Sequence, residues 1–265
     1  MKARGTASAS MGDFRKAAKK KVAPVKPALP EGADREESER AFTAFLERVS
    51  DSIFGRRDWE YLPEAESRAI GEAVATASEA SAEAASAASA ASAFKVKRFP
   101  LSFYEKAALL ELREVAGGIG GGSTWVLENE GVFYRLDGSS APIHDVNEAA
   151  SIKVSRDTAV DYVRFFCFFV NGDEGPFFIV DSLDHPVFIK DKIAAKDRET
   201  REKALREPEV LEVTAEGTFI VSAVVMYGNA LFDAKLAVTE TGLIEMIDDE
   251  PIAGDIPALK LKTDY

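Results

Sequence analysis

The spacing of apolar positions changes along this chain, and each change marks an element. Val160 to Asp181 (VDYVRFFCFFVNGDEGPFFIVD) is the most apolar stretch and holds six of the 17 phenylalanines. Val160, Val163, Phe166, Cys167 and Val170 share one helical face, which predicts a helix over residues 156–170, capped by Ser155. Residues 171–175 break that pattern. Phe177 to Asp181 then reads as a short internal strand, with another expected over 186–189. After Pro208 the period becomes two. Phe219, Val221, Ala223, Val225 and Tyr227 alternate with Ile220, Ser222, Val224 and Met226, so this strand is apolar on both faces and central. Phe232, Ala234, Leu236 and Val238 alternate with Asp233, Lys235, Ala237 and Thr239, giving one dry face and one wetter one. EVLEVTAEG before and LIEMIDDE after, with Gly-containing turns between, complete an antiparallel meander.

The first half is less regular. Asp34 opens a helix candidate in which Phe42, Phe45, Leu46, Val49 and Ile53 form one stripe, ended by Gly55. Trp59, Tyr61 and Leu62 precede Pro63, where a second helix is expected to start. Residues 72–93 follow, with twelve Ala and five Ser among 22, and read as a helical or half-helical spacer, otherwise as a flexible linker. Ser102 and Glu105 match a capping box, so the spacing predicts a helix over 101–115. Residues 117–123 (GGIGGGS) are a flexible connector. They follow a predicted helix and open a strand, the reverse of a dinucleotide loop, and Ser123 stands where a phosphate-binding loop needs Lys. TWVLE and VFYRLD around Asn129-Glu130-Gly131 predict a hairpin. Residues 138–147 read as turns, and 190–207 as a solvated helix or long connection with nearly balanced charge.

Together these elements predict an α+β fold. Helices pack on one face of a curved antiparallel sheet, the C-terminal meander. The layout divides into a basic, disordered tail (1–33), a helical segment with the Ala/Ser spacer (34–94), an acidic α+β domain (95–255) and a C-terminal tail (256–265). The element order over 101–250 is similar to the cone-shaped folds of the nuclear-transport-factor and ketosteroid-isomerase type. That similarity, which involves no shared motif, implies a pocket inside a curved sheet and small-molecule binding or isomerase/hydratase-like chemistry.

Charge sharpens the division. The chain of 265 residues carries −12 overall, yet residues 1–30 hold eight Lys and Arg against Asp13 alone. The tail is therefore +7 and the rest −19, so nucleic acid or an anionic membrane is expected to meet this protein only through positions 2–26. Cys167 is the one cysteine, which excludes an intrachain disulfide and a Cys-based zinc site. The absence of a long apolar run and of a signal-peptide core makes a cytoplasmic protein the expectation.

Catalytic chemistry is sparse. His144 and His185 lie in turn-rich segments; His144-Asp145-x-x-Glu148 matches no metal spacing, so neither metal nor cofactor is implied. Asp248-Asp249-Glu250 reads as a solvated strand end. If the meander has a pocket, Tyr227, Asp233, Lys235 and Glu245 are its candidates, with Tyr162 or Asp161 from the helix. The leading expectation is a non-enzymatic interaction or assembly module, binding a protein partner or itself through Phe42, Phe45, Leu46, Val49 and Ile53. Small-molecule binding by a cone-shaped domain and tethering through the basic tail are the alternatives.

Overall fold

A helix that is apolar over most of its surface has to be enclosed, and the fold is arranged to enclose one. A computed structural model describes residues 59–79, 94–114 and 123–258, together with Arg48. The described helices are α1 (Glu64–Glu79), α2 (Ala141–Ala149), α3 (Ala159–Phe169) and α4 (Ala195–Ala204). Tyr162, Val163, Phe165, Phe166, Cys167, Phe168 and Phe169 of α3 are all buried. Their rings reach in two directions, towards two separate sheets.

The first sheet is a five-stranded antiparallel run in sequence order. Its strands are β1 (Glu60–Tyr61), β2 (Phe94–Pro100), β3 (Ala108–Glu114), β4 (Ser123–Asn129) and β5 (Val132–Arg135). Trp125 of β4 meets Phe169 of α3, ring centres 5.5 Å apart, and Phe103 of the β2–β3 loop meets Phe165 at 5.4 Å. The second sheet takes β6 (Asn171–Gly172), β7 (Gly175–Ile179), β8 (Glu209–Val213), β9 (Phe219–Tyr227), β10 (Ala230–Val238) and β11 (Ile244–Ala253). Its order is β11-β10-β9-β7-β6, with β8 also paired to β9, and every pair is antiparallel. Phe178 of β7 packs on Phe168 of α3 at 6.0 Å. One continuous core therefore joins both sheets through α3.

The α+β class stands, with two antiparallel sheets, and β9 is buried along its whole length as its two-sided apolar pattern requires. β10 has the alternation of a strand with one dry face. The hairpin at β4–β5 turns at Glu130 and Gly131, both with positive φ (51° and 83°), which the Asn-Glu-Gly sequence accommodates. α3 starts three residues later than the spacing predicts. Thr158 is its N-cap, while Ser155 closes the preceding turn by accepting the Ala159 N–H on its carbonyl at 2.9 Å.

Four expectations are corrected. The helix expected over 101–115 is not formed in its described part, 101–114: a turn follows Pro100, and β3 begins at Ala108. Leu109 faces the main core while Leu110 and Leu112 face the other side, so burial on both faces produced an apolar run that also fits helical spacing. Residues 141–149 are helical rather than turns, because Pro142 sits in the first turn, where its missing N–H costs nothing. The strand expected at 186–189 reduces to one isolated bridge between Phe188 and Ala258. That bridge, with Ile256 and Ala258 buried, also makes the start of the C-terminal tail part of the fold.

Residues 59–79, placed by sequence in the helical lead-in and spacer, pack on the later domain. Trp59 lies 4.6 Å from Phe99 and 6.1 Å from Trp125, ring to ring. The expected basic tail and the stripe from Phe42 to Ile53 lie outside the described residues, as does the Gly-rich connector up to Gly122. No helix among the described residues is long and apolar enough to cross a membrane.

Candidate functional site

An open concave surface is made where α1 crosses the outer face of the first sheet. α1 follows Pro63, with Glu64 and Glu66 in its first turn where the helix dipole favours acids. The helix presents Ser67, Gly71 and Val74 downward, at i, i+4 and i+7, all buried. These small residues let the helix axis sit close on Val96, Leu110, Leu112 and Val126, which form a second apolar cluster. Beside that seam the helix turns Glu66, Ala69, Ile70 and Ala73 towards open space. Below lie Leu110 and Phe133, with Leu62 at one end, enclosing a groove of about 350 Å³.

Its polar rim is fixed. Arg98 Nη2 donates to Glu128 Oε2 at 3.3 Å, while Glu128 Oε1 accepts the Gly131 N–H at 2.8 Å. One carboxylate thus anchors the arginine and the β4–β5 turn together. The register explains the meeting: Arg98 pairs with Leu110, Leu110 with Val126, and Glu128 with Phe133, all on one face. The groove offers an apolar floor, a small-residue wall and one charged edge. It can take two or three large apolar side chains and orient them by a polar contact at Arg98 or Glu128.

On the opposite face of the same sheet, Glu111 is 3% exposed and fully engaged. Arg113 Nη2 donates to its Oε1 at 2.7 Å, Ser123 Oγ donates to the same oxygen at 2.6 Å, and Lys97 Nζ stands 4.0 Å from Oε2. Lys97 also lies 5.8 Å from the Trp59 ring centre and 5.0 Å from that of Tyr61. A buried carboxylate saturated by two cations and a hydroxyl is a structural pin. It fastens β1, β2, β3 and β4 at one end.

The meander candidates are dispersed. Tyr162 is enclosed in a hydrogen-bond chain: Tyr104 Oη donates to Asn147 Oδ1 at 2.5 Å, Asn147 Nδ2 to Tyr162 Oη at 2.8 Å, and Tyr162 Oη to the Gly242 carbonyl at 2.7 Å. Burial raises both phenols well above their usual range, so they stay neutral donors. Tyr227 stacks on Phe177 at 4.4 Å, and its oxygen accepts the Glu174 N–H at 2.9 Å. Tyr162 therefore reaches the β10–β11 turn and Tyr227 the opposite end of β10. Asp233 pairs with Val224 in register, on the face away from Tyr227. There Arg206 donates to Asp233 at 2.5 Å and to Ser222 Oγ at 2.8 Å, while Lys235 reaches Asp248 at 2.8 Å. Glu245 is exposed on β11. Asp161 accepts from Ser102 Oγ at 2.8 Å, and His144 of α2 lies against Phe166 at 5.9 Å. Asp233, Lys235 and, through its pairing with Ala237, Glu245 share a face; the others stand apart.

Cys167 and His185 are both buried. Burial pushes the Cys167 thiol up to about 12. Burial also lowers His185 to about 4, with its Nδ1 accepting the Val187 N–H at 3.2 Å. Among the described residues, no group of three or more His, Cys, Asp or Glu is placed to hold a metal ion. The groove went unnoticed in the sequence because its lining comes from α1 and four strands, and no local pattern joins them. No family model, curated protein or solved structure matches this chain.

Proposed function

We propose that this protein is an interaction module that receives an amphipathic helix in the groove between α1 and the first sheet. The observation that carries the reading is the half-covered sheet face, where Leu62, Ile70, Leu110 and Phe133 line an open groove beside the exposed Ala69 and Ala73. A helix laid there approaches α1 closely because only methyl groups intervene, and its apolar residues at i, i+3, i+4 and i+7 enter the groove. Arg98 and Glu128 at the rim set the direction of the incoming helix through its own charges.

A displayed library of amphipathic helical peptides tests the reading. The bait is the full chain with Phe45→Asp and Val49→Asp, which removes its own apolar stripe as a competitor. Enrichment of peptides with that apolar spacing is expected, together with loss of their binding when Phe133→Asp is added. Peptides that bind equally well to the Phe133→Asp chain count against the groove.

A further inference from the structure

The apolar lining of a groove decides how an occupant packs, and the charges beside it decide which occupant is accepted. The Leu62 N–H donates to the Val96 carbonyl of β2 at 3.0 Å, and Phe133 lies on β5, so the groove crosses three strand spacings, roughly 14 Å. That is the length of about nine or ten helical residues, close to three turns. Charge is unevenly placed along it. Arg98 shares its end of the groove with three carboxylates. Glu128 lies 3.3 Å from its guanidinium, Glu60 is its register partner on β1, and Glu66 lines the groove from the first turn of α1. Glu60 and Glu66 are exposed and make no ion pair among the described residues.

The neighbouring cations are matched or distant. Arg68 lies 3.2 Å from Glu64 on α1, and Lys106 lies 2.6 Å from Glu130. Arg135 pairs with Val126 in register and stands exposed on β5, at the other end. A helix seated in the groove brings the positions that flank its apolar stripe against Glu60 and Glu66. Lys or Arg at those positions meets opposite charge, while Asp or Glu meets its like. The described helices of a second copy do not fit this demand: α1 is itself acidic, and α4 carries no large apolar side chain. We infer that the groove selects a basic amphipathic helix of another protein, about three turns long, with its Lys or Arg against Glu60 and Glu66. This names the partner class of the helix receptor proposed above and rests on that reading. The charge of −19 outside residues 1–30 acts in the same sense, drawing basic partners in before contact.

Fluorescence anisotropy with two synthetic helical peptides, added to the full-length bait described above, tests it. Both carry Leu at i, i+3, i+4 and i+7 over about three turns. One has Lys and the other Glu at the flanking positions. The Lys peptide is expected to bind about tenfold tighter at low salt, from two or three exposed ion pairs, with a preference that fades as salt rises. Glu66→Lys, at an exposed position, is expected to cancel that preference, and Glu60→Gln to reduce it. Ala69→Trp plugs the groove from an exposed position without changing charge, and is expected to remove binding of both peptides. Equal affinities that are both lost with Ala69→Trp overturn the charge selection and keep the helix receptor. A tighter Glu peptide, or a Lys peptide indifferent to Glu66→Lys, also overturns it. A doubled mass of the bait that Ala69→Trp abolishes gives the groove to a second copy and overturns it too. Binding of neither peptide, or binding that survives Ala69→Trp, sinks the receptor reading along with the inference.

Discussion

The two faces of the first sheet are both apolar and are covered in opposite ways. Inward, Phe99, Leu109, Trp125 and Leu127 join the main core, where Trp125 meets Phe169 of α3, a helix of bulky side chains, and each of them is at most 9% exposed. Outward, Val96, Leu110, Leu112 and Val126 meet α1, which offers Ser67, Gly71 and Val74. The inner face is closed by volume, with aromatic rings filling the space between layers. The outer face is closed by proximity, because a helix of small residues can settle low on the strands but cannot reach sideways. That difference leaves the groove. A sheet face covered by volume becomes core, and one covered by proximity keeps room for a further element.

Truncations break this contrast most strongly. Leu127→Ala on the inner face should cost about 3–5 kcal/mol, because a fully buried side chain leaves a cavity its neighbours cannot fill. Val74→Ala on the outer face should cost about 1–2 kcal/mol, from two lost methyl groups next to a groove that can relax. Urea midpoints of the two variants measure the gap, and equal losses would erase the distinction between the faces.

A second test uses pH on the inner core alone. His185 has an ordinary value near 6.5 and is lowered to about 4 by burial, with Arg164 adding to the effect and Asp181 opposing it. The unfolded chain takes up a proton below about 6.5, and the folded chain resists until about 4. Stability from this group is therefore present above 6.5 and lost as pH falls towards 4, about 3 kcal/mol in all. His185→Gln should flatten that part of the stability–pH curve. An unchanged slope would show that the site is wetter than its packing between Phe178 and Phe188 implies.

A third test probes the seam between the layers. Gly242 has φ +79°, and a Cβ there would lie 2.5 Å from Asn147 Nδ2 and 2.6 Å from the Tyr162 hydroxyl. Gly242→Ala should cost about 1–3 kcal/mol by straining the turn and pushing the hydrogen-bonded pair apart. Thermal unfolding checks it. A neutral result would mean that the chain from Tyr104 to Gly242 bends without loss.

What the sequence disclosed follows from how each element is buried. β9 and β10 were legible because period two survives when the neighbouring strands are regular. The β4–β5 turn was legible because Glu130-Gly131 names its own backbone geometry. α3 was legible to within three residues, since Asn171 and Gly172 stop it abruptly. β3 was not, because a strand buried on both sides loses its alternation, and Leu101, Tyr104, Ala108 and Leu110 imitate a helix. α2 was hidden behind Ser139, Ser140 and Pro142, residues that serve a turn and a helix start equally well. The groove had no signature at all: Ile70, Arg98, Glu128 and Phe133 are brought together only by strand register.

The hydrogen-bond chain through the core also sets an order of events at the ribosome. Tyr104, Asn147 and Tyr162 all emerge before Gly242, and Tyr162 waits for an acceptor 80 positions downstream. At 5–20 residues per second that wait is about 4–16 s. During it the first sheet, α2 and α3 exist without the β10–β11 turn that receives the last hydrogen bond. The nascent protein therefore passes seconds with its most aromatic helix uncovered on one side, the interval in which a holding chaperone has most to do.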